Sequence, residues 1–595
     1  MSQSNQASAL SRALLEAALE LGVQHIVLAP GSRSQALALE AARLEAAGRV
    51  QLHVRTDERS AGFLALGIGL GSGVPAPVIT TSGSAVANLL PAVVEAHHAG
   101  VPMLLLTADR PAALRGTRSN QTTRQDLMLA PFVRELVDLP VPAEPSESDV
   151  LSGPGALSGS DALNRSVELL ARLVRAAISG PGPVQLNLQF APPLSGEVHS
   201  SSSAVRLGRE AEGAHPVDRA EAEPVQLQIG QRTLVVAGAR AGAAAVSFAE
   251  AAGAPLIAEV VSGAHFGPQL VVAYRELLGI AEFIDSVERV VVFGTPTLSR
   301  QVPQLLARAD VEVVVVDSPG ADRYLPERPT SAPQLLHAPA VLALGQPSPE
   351  LLEWGQVWVR ASRKLLADAR AASEADTRPS AVGNGVGSDG HVADFAAQRE
   401  YVQHELSAIR APLSRERLLE AVWQATWPHD RLVFGASRLV RVADAILPGK
   451  NVSISANRGL SGIDGTIATG MGIALAAATT QAGGVTRVLL GDLAALHDAG
   501  SLKLTPGESI PAMQVIVGND RGGTIFDSLE VAQSAEPDAF SRVMRTPHRV
   551  DFAALAAAYG WEYRLADTVG ALDQALTTVS TEPILIEVPL DANAH

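Results

Sequence analysis

The sequence predicts an α/β protein built of three doubly wound parallel-sheet domains, and three observations carry that expectation. Short apolar runs closed by glycine or a polar loop alternate with segments whose apolar residues recur at helical spacing, the pattern of a parallel sheet covered by helices on both faces. At 595 residues the chain is too long for a single core. Gly-, Ser- and charge-rich stretches interrupt the alternation at Glu144 to Asp161, Ser195 to Glu223 and Glu374 to His391. We therefore expect domains over 1–200, 225–373 and 395–595, with linkers 201–224 and 374–394.

In the first domain "HIVLAP" (His25 to Pro30) reads as a strand and Gln35 to Ala47 as a helix. "VRTDERSAGFLALGIGL" (Val54 to Leu70) leaves a strand and enters an almost wholly apolar helix, with Asp57, Glu58 and Arg59 at the junction. A carboxylate there is either a cap favoured by the helix dipole or a functional group. "APVITTSGSAVANLLPAVVEAHHAG" repeats strand, turn and helix, and "PMLLLTADRP" and "PVQLNLQF" are further buried strands. The middle domain alternates in the same way through "TLVVAGARAGAAAVSFAEAAGAPLIAEVV", "RVVVFG" and "VEVVVVDS". Its Gly238-Ala-Arg-Ala-Gly242 follows a strand and opens a helix but lacks G-x-G-x-x-G spacing; a tight turn explains it, with a nucleotide or flavin site as the rival reading. The third domain runs to "PILIEVPL", and Gly470 and Gly472 fall inside one of its helices, as close-packing glycines do.

Charge narrows the partners. With 62 acidic against 46 basic residues the net charge is −16, which disfavours nucleic acid and anionic membrane surfaces. An anionic ligand must then be met by locally placed arginines. The absence of cysteine excludes disulfides and thiolate chemistry. Met1 to Leu28 carries Glu16 and Glu20 and has no basic start, and no charge-free run reaches about 18 residues, so a soluble cytoplasmic protein is expected.

The third domain holds the most informative pair of segments, "VTRVLLGDLAALHDAGSL" and "PAMQVIVGNDRGGTIF". Asp492 and Asn519 stand 27 residues apart, each at the carboxyl end of an apolar strand, the side on which open α/β sheets bind ligands. One carboxylate, one amide oxygen and a nearby backbone carbonyl suit a hard cation that keeps the rest of its shell for phosphate and water. Gly491, Gly522 and Gly523 allow close approach of a phosphate to the backbone and are expected to offer it their amides. Alone, Gly-Asp after a strand is more often a turn; the paired motif is more specific.

These segments, with "APGSRS" (Ala29 to Ser34), "TDER" (Thr56 to Arg59), "TADRP" (Thr107 to Pro111), Asn120-Gln121 and "NRGLSGIDG" (Asn457 to Gly465), resemble the thiamine-diphosphate enzymes acting on 2-oxo acids. More narrowly, they resemble the 2-succinyl-5-enolpyruvyl-6-hydroxy-3-cyclohexene-1-carboxylate synthases of menaquinone biosynthesis. The matches cover both outer domains in order, and the middle domain offers none comparable. Leu493, where the wider superfamily has glycine, is usual in this synthase family.

The resemblance implies a pyrimidine-binding first domain, a middle domain and a diphosphate-binding third domain. It implies a transferase that decarboxylates 2-oxoglutarate on thiamine diphosphate and adds the product to isochorismate. Glu58 matches the glutamate that bonds the cofactor's pyrimidine N1′, and Ile463 the residue that props the cofactor bent. Gly491, Asp492, Leu493, Asn519, Gly522, Gly523 and Ile525 complete the cofactor set. Mg²⁺ or Mn²⁺ would lie on Asp492, Asn519 and Arg521. Substrate positions are Ser32, Arg33, Arg110, Asn120, Gln121, Ser437, Arg441 and Arg458, with Phe526 and Leu529 as an apolar wall and Arg300 from the middle domain. The four arginines at 33, 110, 441 and 458 are expected in loops after strands, where they serve several carboxylates. An acetohydroxyacid-synthase-like carboligase or simple 2-oxo acid decarboxylase is the alternative, and one arginine would suffice there. The family further implies a homodimer or dimer of dimers with sites between subunits.

Overall fold

Six strands of the first domain, β1 (His25–Leu28), β2 (Gln51–Val54), β3 (Pro77–Thr80), β4 (Met103–Asp109), β5 (Glu135–Pro140) and β6 (Pro183–Gln189), form an all-parallel sheet of order β2-β1-β3-β4-β6-β5. The computed structural model describes residues 5–140, 159–198, 223–377 and 411–590, except 319, 321, 334, 481, 482, 509, 510, 579 and 581, plus scattered residues between 398 and 410. Residues 201–222 and 378–394 of the expected linkers, and most of Glu144 to Asp161, lie outside the described residues, while helix Pro349–Thr377 runs four residues into the second linker.

In the middle segment β7 (Val225–Gln228) pairs with β13 (Val341–Leu344). There β8 (Thr233–Ala237), β9 (Leu256–Ala258), β10 (Arg289–Phe293), β11 (Glu312–Val316) and β12 (Leu336–Ala338) form a parallel sheet of order β12-β11-β10-β8-β9. The last sheet contains β14 (Arg431–Phe434), β15 (Ser453–Ala456), β16 (Thr486–Gly491), β17 (Met513–Asn519), β18 (Glu562–Leu565) and β19 (Ile584–Pro589). Its order, β15-β14-β16-β17-β19-β18, repeats the first sheet strand for strand. All three are doubly wound α/β sheets, as the alternation predicted.

The two outer sheets are joined through a pair of glycine-rich helices. Helix Glu58–Ser72 starts at Asp57, whose Oδ1 accepts the Arg59 amide at 2.9 Å, and stops at Gly73 with φ 73°. Asp57 therefore does the capping, which leaves Glu58 free of that task. Helix Thr466–Thr479 lies against it. A Cβ on Gly67 would sit 2.1 Å from the Thr469 carbonyl oxygen, and one on Gly472 2.2 Å from the Leu64 carbonyl oxygen, so only glycine permits the approach. Phe63, Leu64 and Ile68 share one apolar core with Ile467, Met471, Val488 and Met513. Each such buried side chain contributes about 1.5–3 kcal/mol. Among the described residues no helix is long and apolar enough to cross a membrane.

Candidate active site

The anchor forms where β16 and β17 end side by side. Gly491 closes β16 and Asp492 opens helix Asp492–His497, buried at its first turn. Asp492 Oδ1 accepts the Leu493 amide at 2.7 Å; Oδ2 accepts the Gly522 amide at 2.8 Å and His548 Nε2 at 2.8 Å. His548 Nδ1 accepts the Val550 amide, so the proton sits on Nε2. Burial pushes the Asp492 carboxyl above its ordinary pKa, against the His548 bond. No lysine or arginine pairs with Asp492 among the described residues, and Oδ1 keeps a lone pair beyond its single amide.

Asn519, the last residue of β17, donates from Nδ2 to Glu587 Oε1 at 2.6 Å and accepts the Arg521 amide on Oδ1. The carboxylate partner fixes the amide so that its oxygen turns to the loop. Arg521 is left-handed, φ 59°. Beside the loop lies a cavity of about 430 Å³ lined by Asn519, Asp520, Arg521, Gly522, Arg545 and Glu587, within the roughly 300–1,000 Å³ usual for small-molecule sites.

Two expectations need correction here. The Gly522 and Gly523 amides are not free: the first donates to Asp492, the second to the Arg545 carbonyl at 2.6 Å, because the stretch after Ser541 folds over the anchor loop. Arg441 is not in a loop; it lies on helix Arg438–Ile446, capped by Ser437, whose Oγ accepts the Leu439 amide.

The other predicted residues fall into groups. Glu58 is half-buried and its Oε2 accepts Asn88 Nδ2 at 3.1 Å; its bonds and those of Asp492 share no residue. Arg59 reaches His497, the far end of the helix that Asp492 opens. In the first domain Arg110 Nη1 donates to Ser82 Oγ and the Gln121 carbonyl, and Arg33 Nη1 to the Phe190 carbonyl. Arg33 is held below its ordinary pKa by burial and then by the nearby Arg110 cation. Ser32, Asn120 and Gln121 are exposed beside them. In the third domain, burial lowers Arg441 and Arg458, and each has another guanidinium nearby, Arg275 and Arg441 respectively. Ile463 lies in the loop before helix Thr466–Thr479, 39 % exposed. Ile525 and Phe526 occupy the short helical turn Thr524–Ser528 with Leu529 next to it, all half-buried. Arg300 is exposed, three residues after Thr297.

The middle-domain turn does not resemble a phosphate loop in its bonding. Gly238, Ala239, Ala241 and Gly242 donate their amides to Phe293, Thr295, Gly238 and Ser262 carbonyls. A Cβ on Gly238 would sit 2.2 Å from Pro296 N, so close packing accounts for that glycine. His97, His98 and Asp322 bring ligand atoms within 4.8 Å of one another. They are engaged as a His98–Asp322 pair at 3.2 Å and a His97 bond to the Phe132 carbonyl, beside the Arg134 cation.

Comparison with known proteins resolves the family. Residues 9–129 match the N-terminal TPP-binding domain of thiamine pyrophosphate enzymes, and 451–588 the C-terminal one. A 2-succinyl-5-enolpyruvyl-6-hydroxy-3-cyclohexene-1-carboxylate synthase of Clavibacter michiganensis is 52 % identical over 97 % of this chain and 95 % of its own length. Synthases of the same name from Leifsonia xyli and Kineococcus radiotolerans are 51 % and 42 % identical, over 99 % and 93 % of this chain and 97 % and 91 % of theirs. The chain belongs to this synthase family.

The residues fit the family's cofactor and metal. Asp492 offers a carboxylate oxygen without a cationic side chain, Asn519 an oriented amide oxygen, and Gly522 a backbone (φ 156°) where a Cβ would meet the Arg545 carbonyl at 2.6 Å. Sequence reasoning missed His548, Asn88 and the middle-domain residues around Thr297. A lone glutamate in an apolar helix, Glu95, and another directly after β9, Glu259, were signals left unused.

Proposed function

We propose that, with thiamine diphosphate and Mg²⁺ (or Mn²⁺) bound, the chain decarboxylates 2-oxoglutarate and adds the resulting four-carbon unit to isochorismate by conjugate addition, acting in the cytoplasm. The observation that carries this reading is the pairing of arginines in a chain of net charge −16: Arg33 with Arg110, and Arg441 with Arg458. Two pairs suit two substrates that together bring several carboxylates, whereas a simple 2-oxo acid needs one arginine.

When bound, the cofactor supplies a cationic ring that stabilises the carbanion left by loss of CO₂. The chain's part is placement. Asp492, Asn519 and the Arg521 carbonyl hold the cation; Gly491, Leu493 and Gly522 line the diphosphate, with Gly523 exchanging the Arg545 carbonyl for it. Glu58 holds a proton against the pyrimidine N1′. Ile463 and Ile525 shape the cofactor pocket, and Phe526 and Leu529 exclude water beside it. Arg441 and Arg458, with Ser437 and Arg300, receive the donor acid. Arg33 and Arg110, with Ser32, Asn120 and Gln121, receive the acceptor. The separate networks of Glu58 and Asp492 in one chain support a homodimer, or dimer of dimers, whose sites lie between subunits.

The test is direct. Protein supplied with thiamine diphosphate, Mg²⁺ and 2-oxoglutarate should release CO₂ and, on adding isochorismate, form the cyclohexene carboxylate adduct. CO₂ without adduct would reduce it to a decarboxylase; turnover of pyruvate pairs would favour the carboligase.

A further inference from the structure

We propose that Glu95 of the first domain and Thr297 of the middle domain, backed by Glu259, are positioning residues that hold Arg458 with one N–H group turned to a substrate carboxylate; this rests on the reading above. Arg458 is 7 % exposed. Its Nε donates to Thr297 Oγ1 at 3.0 Å and its Nη2 to the Thr297 carbonyl at 3.1 Å. Its Nη1 is buried and has no hydrogen-bond partner among the described residues. No carboxylate oxygen of those residues comes within 4.0 Å of the guanidinium. A buried cation with no carboxylate in contact and a buried donor without an acceptor are both costly, and they coincide on one side chain. An arriving carboxylate removes both costs.

What keeps Arg458 from turning to solvent is supplied by the other two domains. Glu95, on helix Leu90–Ala99, accepts the Gly459 amide on Oε1 at 2.7 Å and the Leu460 amide on Oε2 at 2.8 Å, so one carboxylate grips both peptide groups directly after Arg458. Gly459 is needed there: a Cβ would sit 2.8 Å from the Glu95 carbonyl oxygen and 3.0 Å from Ala99 N. On the other side Glu259 Oε1 accepts the Thr297 amide at 2.5 Å and the Leu298 amide at 2.6 Å, while the Thr297 hydroxyl donates to Oε2 at 3.3 Å. With its own proton given to Glu259, the Thr297 hydroxyl is an acceptor towards Arg458. Burial, and then Asp444, push the Glu259 carboxyl above its ordinary pKa; its oxygens are taken by the two amides and the Thr297 hydroxyl, and neither comes within 4.0 Å of the Arg458 guanidinium. Asp444 in turn is bound by Tyr274, Arg275 and the Val260 amide. The middle domain, which carries no recognisable motif, thus sets one side of the donor pocket.

The experiment measures 2-oxoglutarate affinity by calorimetry in the protein loaded with thiamine diphosphate and Mg²⁺, for wild type, Arg458→Ala, Thr297→Val, Glu95→Gln and the double variants with Arg458→Ala. Thr297→Val keeps shape and removes the acceptor; Glu95→Gln keeps size and places a donor against an amide. Each should weaken 2-oxoglutarate binding by about 10-fold, leave the thermal shift given by the cofactor unchanged, and add no further loss once Arg458 is alanine. Unchanged affinity in both variants, or losses that add fully to that of Arg458→Ala, would overturn the proposal. A wild-type protein that binds 2-oxoglutarate through Arg458 but releases no CO₂ would instead sink the functional reading and leave this one standing.

Discussion

The two outer sheets have the same strand order, yet their strand ends are furnished differently. β4 (Met103–Asp109) and β17 (Met513–Asn519) are counterparts, seven residues each. Asp109 is fully buried, and its Oδ2 accepts Arg115 at 2.7 Å and Asn187 at 3.0 Å. That carboxylate already has its cation. In the third domain the carboxylate moves one strand over, to Asp492 after β16, and its partners are amides and a histidine. The duplicated scaffold therefore does not decide the state of a strand-end carboxylate; the presence or absence of an internal arginine does.

The sharpest way to break this comparison is to remove the two carboxylates in turn. Asp492→Ala should fold and lose the stabilisation that thiamine diphosphate with Mg²⁺ gives wild type, about 2.7 kcal/mol at ligand 100-fold above its dissociation constant. Asp109→Asn should keep that gain but lose about 3 kcal/mol of basal stability, because the buried Arg115 loses its fully buried partner and keeps Asp138 and, at 3.5 Å, Asp126. Thermal denaturation with and without the ligands reads both. A cofactor-induced shift persisting in Asp492→Ala would end the assignment of the anchor.

Glu58 tests the other half. Glu58→Gln keeps size and a hydrogen bond but cannot share a proton in the same way, so exchange of the cofactor's C2 proton should slow by orders of magnitude with little change in cofactor affinity. If sites lie between subunits, unfolding and refolding a mixture of Glu58→Gln and Asp492→Ala should restore activity to about one quarter of wild type, since half of the dimers are mixed and each regains one intact site. No recovery would place both residues in one chain's site.

The arginine pairs should separate the half-reactions. Arg33→Ala and Arg110→Ala should leave decarboxylation of 2-oxoglutarate near the wild-type rate and depress turnover with isochorismate by roughly 10- to 150-fold, the worth of one charge-assisted contact. Arg441→Ala and Arg458→Ala should depress both. Single-turnover CO₂ release without isochorismate distinguishes them; a block in Arg33→Ala but not Arg441→Ala would invert the assignment.

Much of this was legible in the sequence because periodicity reports sheets and helices directly, and because Asp492 and Asn519 announce themselves by standing at strand ends. The Arg33–Arg110 and Arg441–Arg458 pairings were legible only as a need for positive charge. Helical placement of Arg441 escaped notice because the Ser437 cap follows the end of β14 by only three residues. His548, Thr297 and Glu95 were illegible for a different reason. Their roles come from contacts 56, 161 and 364 residues away in sequence, and no local pattern encodes such a distance. The amides of Gly522 and Gly523 were misread for the same reason, since their partners arrive from elsewhere in the chain.

The smallest effect sharpens the comparison at the paired helices. Helix Glu58–Ser72 is capped by its own Asp57, whereas helix Thr466–Thr479 begins at Gly465 and borrows its cap: Asp498 Oδ2 accepts the Ile467 and Ala468 amides at 2.8 and 3.2 Å. Asp498 is wholly buried, and burial pushes its carboxyl up to about 6, against the opposing bonds from Ser501 and the two amides. A folded-state pKa above the unfolded value means that the native state binds the proton more tightly. Its contribution is then fully present below the ordinary carboxylate range, near pH 4, and is lost as pH rises through about 6. Asp498→Asn can still accept both amides on its oxygen and donate to Ser501, whose proton turns to Ser60. The variant should therefore lack this step: its melting temperature relative to wild type should rise by a few degrees between pH 4 and 6 and stay level above, for a free-energy difference of at most about 3 kcal/mol. Parallel curves for the two proteins across that window would show that Asp498 keeps its charge in the core, held by the amides of the helix terminus.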